Sequence, residues 1–262
     1  VSRRIAEILG KDVKDLKIVN CHLGQGASIC AIQGGKSVET SMGLTPLGGI
    51  PMCSRSGDLD PSIVTFLMKN EGLTSDEMDQ ILNNDSGLWG MCGVSKDVRD
   101  IEAAIDEKNE MARKALDYYK YRIAQYIAQY AVSMQGIDVI TFTAGVGEMG
   151  ENVRLGSCLG LESLGIKIDP EKNDLSHCRN AETVISADDS PVKIFVIPTD
   201  EELVITEDAY ALMKGTYDVH TNFHYSFEDP NYVNKARERG LVKNLEKKPG
   251  LKNIIAVPPK KN

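Results

Sequence analysis

An apolar strand that runs directly into a glycine-rich turn constrains the fold of this chain more than any other feature. Residues 138–143 (Asp-Val-Ile-Thr-Phe-Thr) have the pattern of a buried strand, and residues 145–150 read Gly-Val-Gly-Glu-Met-Gly. The second run matches G-x-G-x-x-G, the fingerprint of dinucleotide-binding domains. In those domains an acidic residue follows about 20 residues later, at the end of a second strand. Residues 155–170 show no clean strand there, so an NAD-binding Rossmann oxidoreductase stays only a competing interpretation.

The rest of the chain alternates between strand and helix patterns. Residues 16–21 and 193–198 read as strands. Two alternating segments, 27–33 and 36–42, flank Gly34-Gly35, a pair typical of a hairpin turn. Helical periodicity and capping residues predict helices over residues 2–9, 62–70, 75–83 and 97–135, and from Thr199 to about Met213.

Composition argues against two broad classes of partner. The formal net charge of −8 disfavours a nucleic-acid-binding surface, because phosphate contacts need clustered Lys and Arg. No apolar run approaches the roughly 20 residues that cross a bilayer, and Val1-Ser2-Arg3-Arg4 does not read as a secretory signal. The six cysteines show no C-x-x-C spacing, which favours a reduced, cytoplasmic protein over a zinc or disulfide framework.

Two further loops carry groups that suit phosphate. In residues 22–28 (His-Leu-Gly-Gln-Gly-Ala-Ser) the glycines let backbone N–H groups approach an anion, although this segment alone favours a tight hairpin entrance. Arg55 stands between two serines in a glycine-rich turn, where its fork of donors fits a phosphoryl group. The alternative for Arg55 is an ion pair with Asp58 or Asp60 that holds the loop.

Carboxylates follow the last predicted strand. Residues 199–202 read Thr-Asp-Glu-Glu, and acids at the end of a strand often hold magnesium beside nucleotide phosphates. Simple capping of the next helix by Thr199 or Asp200 explains the same residues.

Taken together and in order, these segments resemble the acetate kinase family, part of the acetate and sugar kinase, Hsp70 and actin superfamily. The resemblance covers roughly residues 1–218. Its six blocks are residues 20–28 (Asn-Cys-His-Leu-Gly-Gln-Gly-Ala-Ser), 39–46 (Glu-Thr-Ser-Met-Gly-Leu-Thr-Pro), 54–61 (Ser-Arg-Ser-Gly-Asp-Leu-Asp-Pro), 86–100 (Ser-Gly-Leu to Gly-Val-Ser-Lys-Asp-Val-Arg-Asp), 142–148 (Phe-Thr-Ala-Gly-Val-Gly-Glu) and 197–203 (Ile-Pro-Thr-Asp-Glu-Glu-Leu).

The resemblance implies an α/β fold of the ribonuclease H-like type, with a mixed sheet and flanking helices. It also implies roles for individual residues. Arg55 would stabilise the transferring phosphoryl group, Glu201 would help to hold Mg²⁺ or Mn²⁺, and Pro46 would approach the acyl methyl group. The nucleotide contacts would come from His22, Leu23, Gly24, Gln25 and Gly26, from Asp97, Val98 and Arg99 beside the adenosine, and from Gly145, Val146, Gly147, Glu148 and Met149 in a second loop.

The implied reaction is reversible transfer of a phosphoryl group from ATP to acetate, or another short carboxylate, giving ADP and acetyl phosphate. The implied mechanism is direct in-line transfer, in which the protein positions the reactants and neutralises charge. The family's dimer interface lies largely in this half, so the resemblance also implies a homodimer.

The sequence departs from the family at several positions. The replacements are Gln25 for Asn, Gly48 for Glu, Cys53-Ser54 for Gly-Thr, Met149 for Asn and Asp200 for Asn. The family's N-terminal phosphate loop, substrate Arg, catalytic Asp and His are absent from these residues. We therefore expect a nucleotide-binding domain over residues 1–218, followed by an unmatched, solvated basic tail over residues 219–262. A non-catalytic nucleotide-binding fragment is the main alternative to a working kinase.

Overall fold

A mixed six-stranded sheet forms the centre of the computed structural model, which describes residues 1–220, 222–229 and 231–259. Its strands lie in the order β3-β2-β1-β4-β6-β5. The bounds are β1 Lys17–Leu23, β2 Ala27–Gln33, β3 Lys36–Thr40, β4 Val139–Thr143, β5 Thr183–Val184 and β6 Lys193–Val196. Strands β1, β4 and β6 run parallel, whereas β2, β3 and β5 run antiparallel to their neighbours.

Eleven α-helices are found within the described residues. They are α1 Ser2–Leu9, α2 Pro61–Glu71, α3 Ser75–Asn84, α4 Gly87–Cys92, α5 Val98–Asp106, α6 Glu110–Ser133, α7 Ala144–Met149, α8 Glu151–Cys158, α9 Pro170–Leu175, α10 Glu201–Lys214 and α11 Lys235–Lys247. No helix in this described part is both long and apolar enough for a membrane span.

The β2–β3 turn follows directly from the sequence. Gly34 and Gly35 have φ angles of 60° and 76°, which glycine adopts without a steric penalty. The turn joins β2, whose alternate residues are buried, to β3, which is exposed along its length. The predicted hairpin is thus confirmed.

One predicted helix is two helices in the structure. The expected stretch over residues 97–135 breaks between α5 and α6, where Lys108 has a φ of 68°. Asn109 then caps α6 by accepting hydrogen bonds from the backbone N–H groups of Met111 and Ala112, each at 3.0 Å. A capping Asn starts a new helix, and periodicity alone does not show this boundary.

Helix α6 supplies much of the core. Its predicted apolar stripe is confirmed, since Leu116, Tyr119, Ile123, Ile127 and Tyr130 are all buried. These side chains belong to the same core cluster as Cys21 of β1, Ile29 of β2 and Phe142 of β4. The stripe therefore fixes one face of the sheet and leaves the strand ends free for polar groups.

The turn after β4 differs from expectation. Residues Gly145 to Met149 form most of helix α7 rather than a loop. Ala144, with a φ of 63°, turns the chain directly from the strand into that helix. The glycines therefore permit close packing at the start of a helix.

The segment after residue 218 is packed rather than solvated. Tyr225 and Leu251 are buried, and Ala256 N–H donates to the Glu182 carbonyl at 2.8 Å. Helix α11 lies within this segment. The expected basic tail thus becomes part of the body of the protein over residues 219–220, 222–229 and 231–259. The remaining residues of that tail, 221, 230 and 260–262, lie outside the described residues.

Candidate functional site

Three segments meet at one edge of the sheet. His22 in β1 lies opposite Thr143 in the parallel strand β4, and His22 Nδ1 is 2.9 Å from Thr143 Oγ1. The backbone N–H of Thr199, just after β6, donates to Glu148 Oε1 at 3.2 Å. Because parallel strands end at the same edge, residues 22–26, 144–149 and 199–201 come together there.

Residues 22–26 form a tight turn with little side-chain bulk. The backbone N–H of Gly24 donates to the Gly26 carbonyl at 3.1 Å. Leu23 is fully buried, so its side chain belongs to the core and adds no bulk to the turn. A methyl group added at Gly26 would lie 3.2 Å from Arg55 Nη1, so the absence of a side chain leaves room for the guanidinium. This turn and Arg55 therefore form one unit.

Arg55 has no carboxylate partner within the part of the chain that the structure describes. Its Nη1 contacts Met52 Sδ at 3.6 Å. The two acids considered as partners are engaged elsewhere. Asp58 accepts a hydrogen bond from Arg122 at 2.8 Å, and Asp60 caps α2 through the N–H of Ser62 at 2.9 Å. The ion-pair interpretation of Arg55 is thus wrong, and its positive charge faces the glycine turn unneutralised.

The loop that carries Arg55 is fixed by helix α4. The N–H groups of Leu88 and Trp89 donate to the carbonyls of Met52 and Cys53, both at 2.9 Å. Gly87 makes this close approach possible, because a Cβ there would lie 2.2 Å from the Met52 carbonyl oxygen. The backbone around Arg55 is therefore held by hydrogen bonds, whereas its guanidinium has no carboxylate partner among the described residues.

A buried arginine holds the C-terminal end of helix α7. Arg154 donates to the carbonyls of Gly147 and Glu148, each at 2.9 Å, and to the side chain and backbone of Asn173 at 2.8 and 3.0 Å. Burial lowers the pKa of Arg154 to about 10, which still leaves it charged at neutral pH. A cation at the carbonyl end of a helix also opposes the helix dipole favourably.

Glu148 points back toward the strand ends. It is buried, and it accepts from Thr199 N–H while lying 3.7 Å from Arg179 Nε. A methyl group at Gly145 would lie 3.3 Å from Arg179 Nη2, so this arginine also borders the first turn of α7. Arg179 is 60% exposed, which leaves its guanidinium accessible to an anion.

Residues 97–99 open helix α5. Asp97 caps it and pairs with Arg99 at 2.5 Å, while Val98 is buried beneath them. Hydrogen bonds from Arg99 hold the pKa of Asp97 down to about 2. The Arg99 side chain is 86% exposed. In the described residues, no hydrogen bond links these three residues to residues 22–26 or 144–149. The adenosine contact of these three residues stays a prediction.

Glu201 begins α10 and is exposed, whereas its neighbour Asp200 acts as the helix cap by accepting from Leu203 N–H at 3.2 Å. The capping alternative thus describes Asp200 and leaves Glu201 available. Glu201 and His22 both line a cavity of about 290 Å³. Among the described residues, no group of three or more His, Cys, Asp or Glu side chains is arranged to hold a metal ion. Pro46, the predicted acyl contact, lies exposed in the loop before Ile50.

Sequence reasoning missed the supporting residues. Arg154, Arg179 and Arg237 lie in or near the site but come from segments that look like an ordinary helix, a polar loop and a basic tail. None carries a local motif, because each acts through a contact with a residue distant in sequence.

Comparisons with known proteins agree on one family. A profile of the acetokinase family matches residues 1–207. An acetate kinase of Treponema pallidum is 51% identical over 255 residues, covering 97% of this chain and 57% of that protein. Such a long match extends well into the C-terminal segment after residue 218, which the sequence alone left unmatched. The chain spans about half the length of the curated relatives it matches.

Solved structures agree with the fold. The crystal structure of an acetate kinase from Porphyromonas gingivalis is 44% identical, with a TM-score of 0.78, covering 81% of this chain and 53% of that one. A propionate kinase from Francisella tularensis is 38% identical, with a TM-score of 0.71, covering 78% of this chain and 51% of that one.

Proposed function

Because the chain belongs to the acetokinase family, we propose that it forms the nucleotide-binding half of an acetate kinase. The reaction is reversible transfer of the terminal phosphoryl group of ATP to acetate or another short carboxylate. One observation carries the proposal: the Arg55 guanidinium, without an acidic partner among the described residues, lies against the glycine turn at Gly26. An arginine without an acidic partner in the described residues, beside a glycine turn at the ends of parallel strands, suits a phosphoryl group.

The proposed roles follow from this geometry. A carboxylate oxygen of the acceptor forms a bond to the terminal phosphorus as the bond to the bridging oxygen breaks, and ADP leaves with that electron pair. Arg55 offsets the negative charge on the equatorial oxygens, while Gly24 and Gly26 offer backbone room for the phosphates. Helix α7 presents Gly145 to the nucleotide. The family resemblance, rather than a contact in the structure, assigns Arg99 to the adenosine. Such catalysis relies on positioning and charge rather than on covalent chemistry with the protein.

The proposed site offers one protein carboxylate, that of Glu201, to a magnesium ion. Mg²⁺ typically uses one or two carboxylates and completes its shell with substrate phosphates and water. The exposed carboxylate of Glu201 in the cavity beside His22 suits that arrangement. Bound Mg²⁺, or Mn²⁺ in its place, would neutralise phosphate charge. Glu201 would orient it.

The test is calorimetric titration of the 262-residue chain with Mg-ADP and, separately, with NAD. We expect Mg-ADP to bind and NAD not to bind. Gly147→Val should weaken Mg-ADP binding, because a Cβ there already lies 3.3 Å from the Phe142 carbonyl carbon. Gly43→Ala is the matched control, since nothing lies within 4 Å of its added methyl group. Binding of NAD instead would favour the Rossmann interpretation and contradict the proposal.

Turnover separates a kinase half from a non-catalytic nucleotide-binding fragment. We expect the chain alone to turn over poorly, since it spans about half of its relatives and a kinase cleft has two sides. Supplying the N-terminal half of a relative in trans should restore acetyl phosphate formation. Parallel assays with acetate and propionate would show which short carboxylate is preferred. Sedimentation of the chain would test the proposed homodimer.

A further inference from the structure

Helix α11 touches the turn that carries the proposed metal carboxylate. Arg237 Nη1 donates to the Pro198 carbonyl at 3.0 Å, and its Nη2 donates to the Thr199 carbonyl at 2.6 Å. Nη2 also lies 3.8 Å from Asp200 Oδ2. One side chain from the C-terminal segment thus binds three consecutive residues immediately before Glu201.

Asn234 makes a second, independent contact. Its Nδ2 donates to Asp200 Oδ2 at 2.6 Å, while its Oδ1 accepts from the N–H groups of Ala236 and Arg237 at 3.1 and 3.3 Å. The same side chain therefore caps α11 and binds the Thr199–Asp200 turn. Asp200 uses its other oxygen to cap α10 through Leu203. The start of one helix is tied to the start of the other through a single carboxylate.

These contacts are sheltered and lie beside the site. The Arg237 side chain is 22% exposed, and Asp200 is 34% exposed. Asn234, Arg237, Glu201 and His22 all line the same cavity of about 290 Å³. Without the contacts of Asn234 and Arg237, the turn after β6 keeps the hydrogen bond from Thr199 N–H to Glu148 but loses those from α11.

We propose that Asn234 and Arg237 are positioning residues, which hold the Thr199–Asp200 turn so that Glu201 meets the metal ion of a bound nucleotide. The inference rests on the proposed function. The reason is pre-organisation: a carboxylate supplies metal affinity only when its backbone is held in the binding geometry, and partners that orient metal ligands are worth about 10–100-fold in metal affinity. The C-terminal segment thereby acts on the site through the backbone of the Thr199–Asp200 turn.

The first experiment measures amide hydrogen exchange of the peptide that spans Thr199 to Leu203 in the full chain. Arg237→Ala should speed exchange there, and Arg237→Lys should recover part of the protection by restoring one donor. Arg239→Ala on the same helix is the control, because Arg239 is exposed. Unchanged exchange in Arg237→Ala would overturn the inference.

Asn234→Asp separates the hydrogen bond to Asp200 from the stability of helix α11. Aspartate keeps the oxygen that caps α11 but loses the donor to Asp200 and places two carboxylates together. We expect faster exchange over Thr199 to Leu203 with α11 still protected. Protection of the turn equal to that of the parent chain would contradict the proposal.

The second experiment measures the ratio of ADP dissociation constants in EDTA and in Mg²⁺. Arg237→Ala should lower that ratio roughly tenfold while leaving metal-free ADP binding unchanged. An equal ratio in parent and Arg237→Ala would overturn the inference and leave the proposed function intact. A parent chain that binds no ADP, or binds it without regard to Mg²⁺, would instead contradict the proposed function and the metal role together.

Discussion

Whether the Arg55 charge is available to a ligand depends on the partners of the nearby acids. Two acids lie within five positions of it in sequence, yet Asp58 is occupied by Arg122 and Asp60 by the start of α2. Because neither acid contacts Arg55, the Met52 sulfur is the one hydrogen-bond partner of the guanidinium within the described residues. A charge kept free in this way is available to a ligand, and its loss should cost the fold little.

Replacing Arg55 should therefore separate activity from stability. In the assembly complemented with an N-terminal half, we expect Arg55→Ala to lower kcat by about 10³-fold, the range found for arginines that stabilise a transferring phosphoryl group. Arg55→Lys should recover only part, because lysine lacks the planar fork of donors. Steady-state rates and thermal unfolding of each variant check this. A large fall in melting temperature would contradict the view that Arg55 is structurally idle.

At the scale of elements, helix α4 determines where the Arg55 loop lies. The helix begins at Gly87, whose φ of 61° and close contact with the Met52 carbonyl exclude any side chain. Helix α7 is held comparably by the buried Arg154. Both elements are short, so their placement depends on contacts with other segments more than on their own helical propensity.

Gly87→Ala tests the docking of α4. We expect a loss of at least about 2 kcal/mol in the free energy of unfolding, from backbone strain together with the clash at 2.2 Å. Gly93→Ala is the matched control, since Gly93 has a φ of 65° but nothing within 4 Å of an added methyl group. Urea unfolding of both variants isolates the contact from the strain. Equal losses would show that α4 does not need the close approach.

Arg154→Met tests the support of α7. Four acceptor atoms on Gly147, Glu148 and Asn173 would lose their donor, so we expect about 3 kcal/mol of destabilisation. Mg-ADP affinity should fall as well, because α7 would no longer be held. Arg113→Met, on the exposed face of α6, is the comparison and should change neither quantity appreciably. Unfolding curves and calorimetry measure the two effects.

At the scale of the whole molecule, the C-terminal segment packs against the first helix, α1. Arg3 pairs with Glu228, and Arg4 pairs with Glu182 and donates to the Phe227 carbonyl. Tyr225 is fully buried between these groups, and its hydroxyl donates to Asp208 at 2.7 Å. This segment closes the body of the protein instead of trailing from it.

Tyr225→Ala should accordingly be costly. We expect a loss of about 3–5 kcal/mol, as for a large buried aromatic side chain. Tyr210→Ala is the control, because the Tyr210 side chain lies exposed on α10. Chemical denaturation gives both values. A change in Tyr225→Ala no larger than that of the control would support a solvated tail, as composition alone suggests.

The sequence by itself determined the local elements and the proposed chemistry. The hairpin glycines and the buried stripe of α6 follow from the sequence because turn conformation and periodicity depend on adjacent residues. The roles of the blocks around His22, Arg55 and Gly145 came instead from their resemblance, in order, to one family. The division of residues 97–135 was missed because one capping Asn overrides periodicity over a short span.

Only the tertiary structure decided which polar groups are free and which are engaged. Arg55 has no acidic partner in the part of the chain that the structure describes. Asp200 is bound by Asn234 and Arg237, and Arg154 points inward onto α7. The packing of the C-terminal segment was equally invisible. Each of these outcomes depends on contacts between residues distant in the chain. Charge and composition record which groups are present, whereas folding decides which of them find partners.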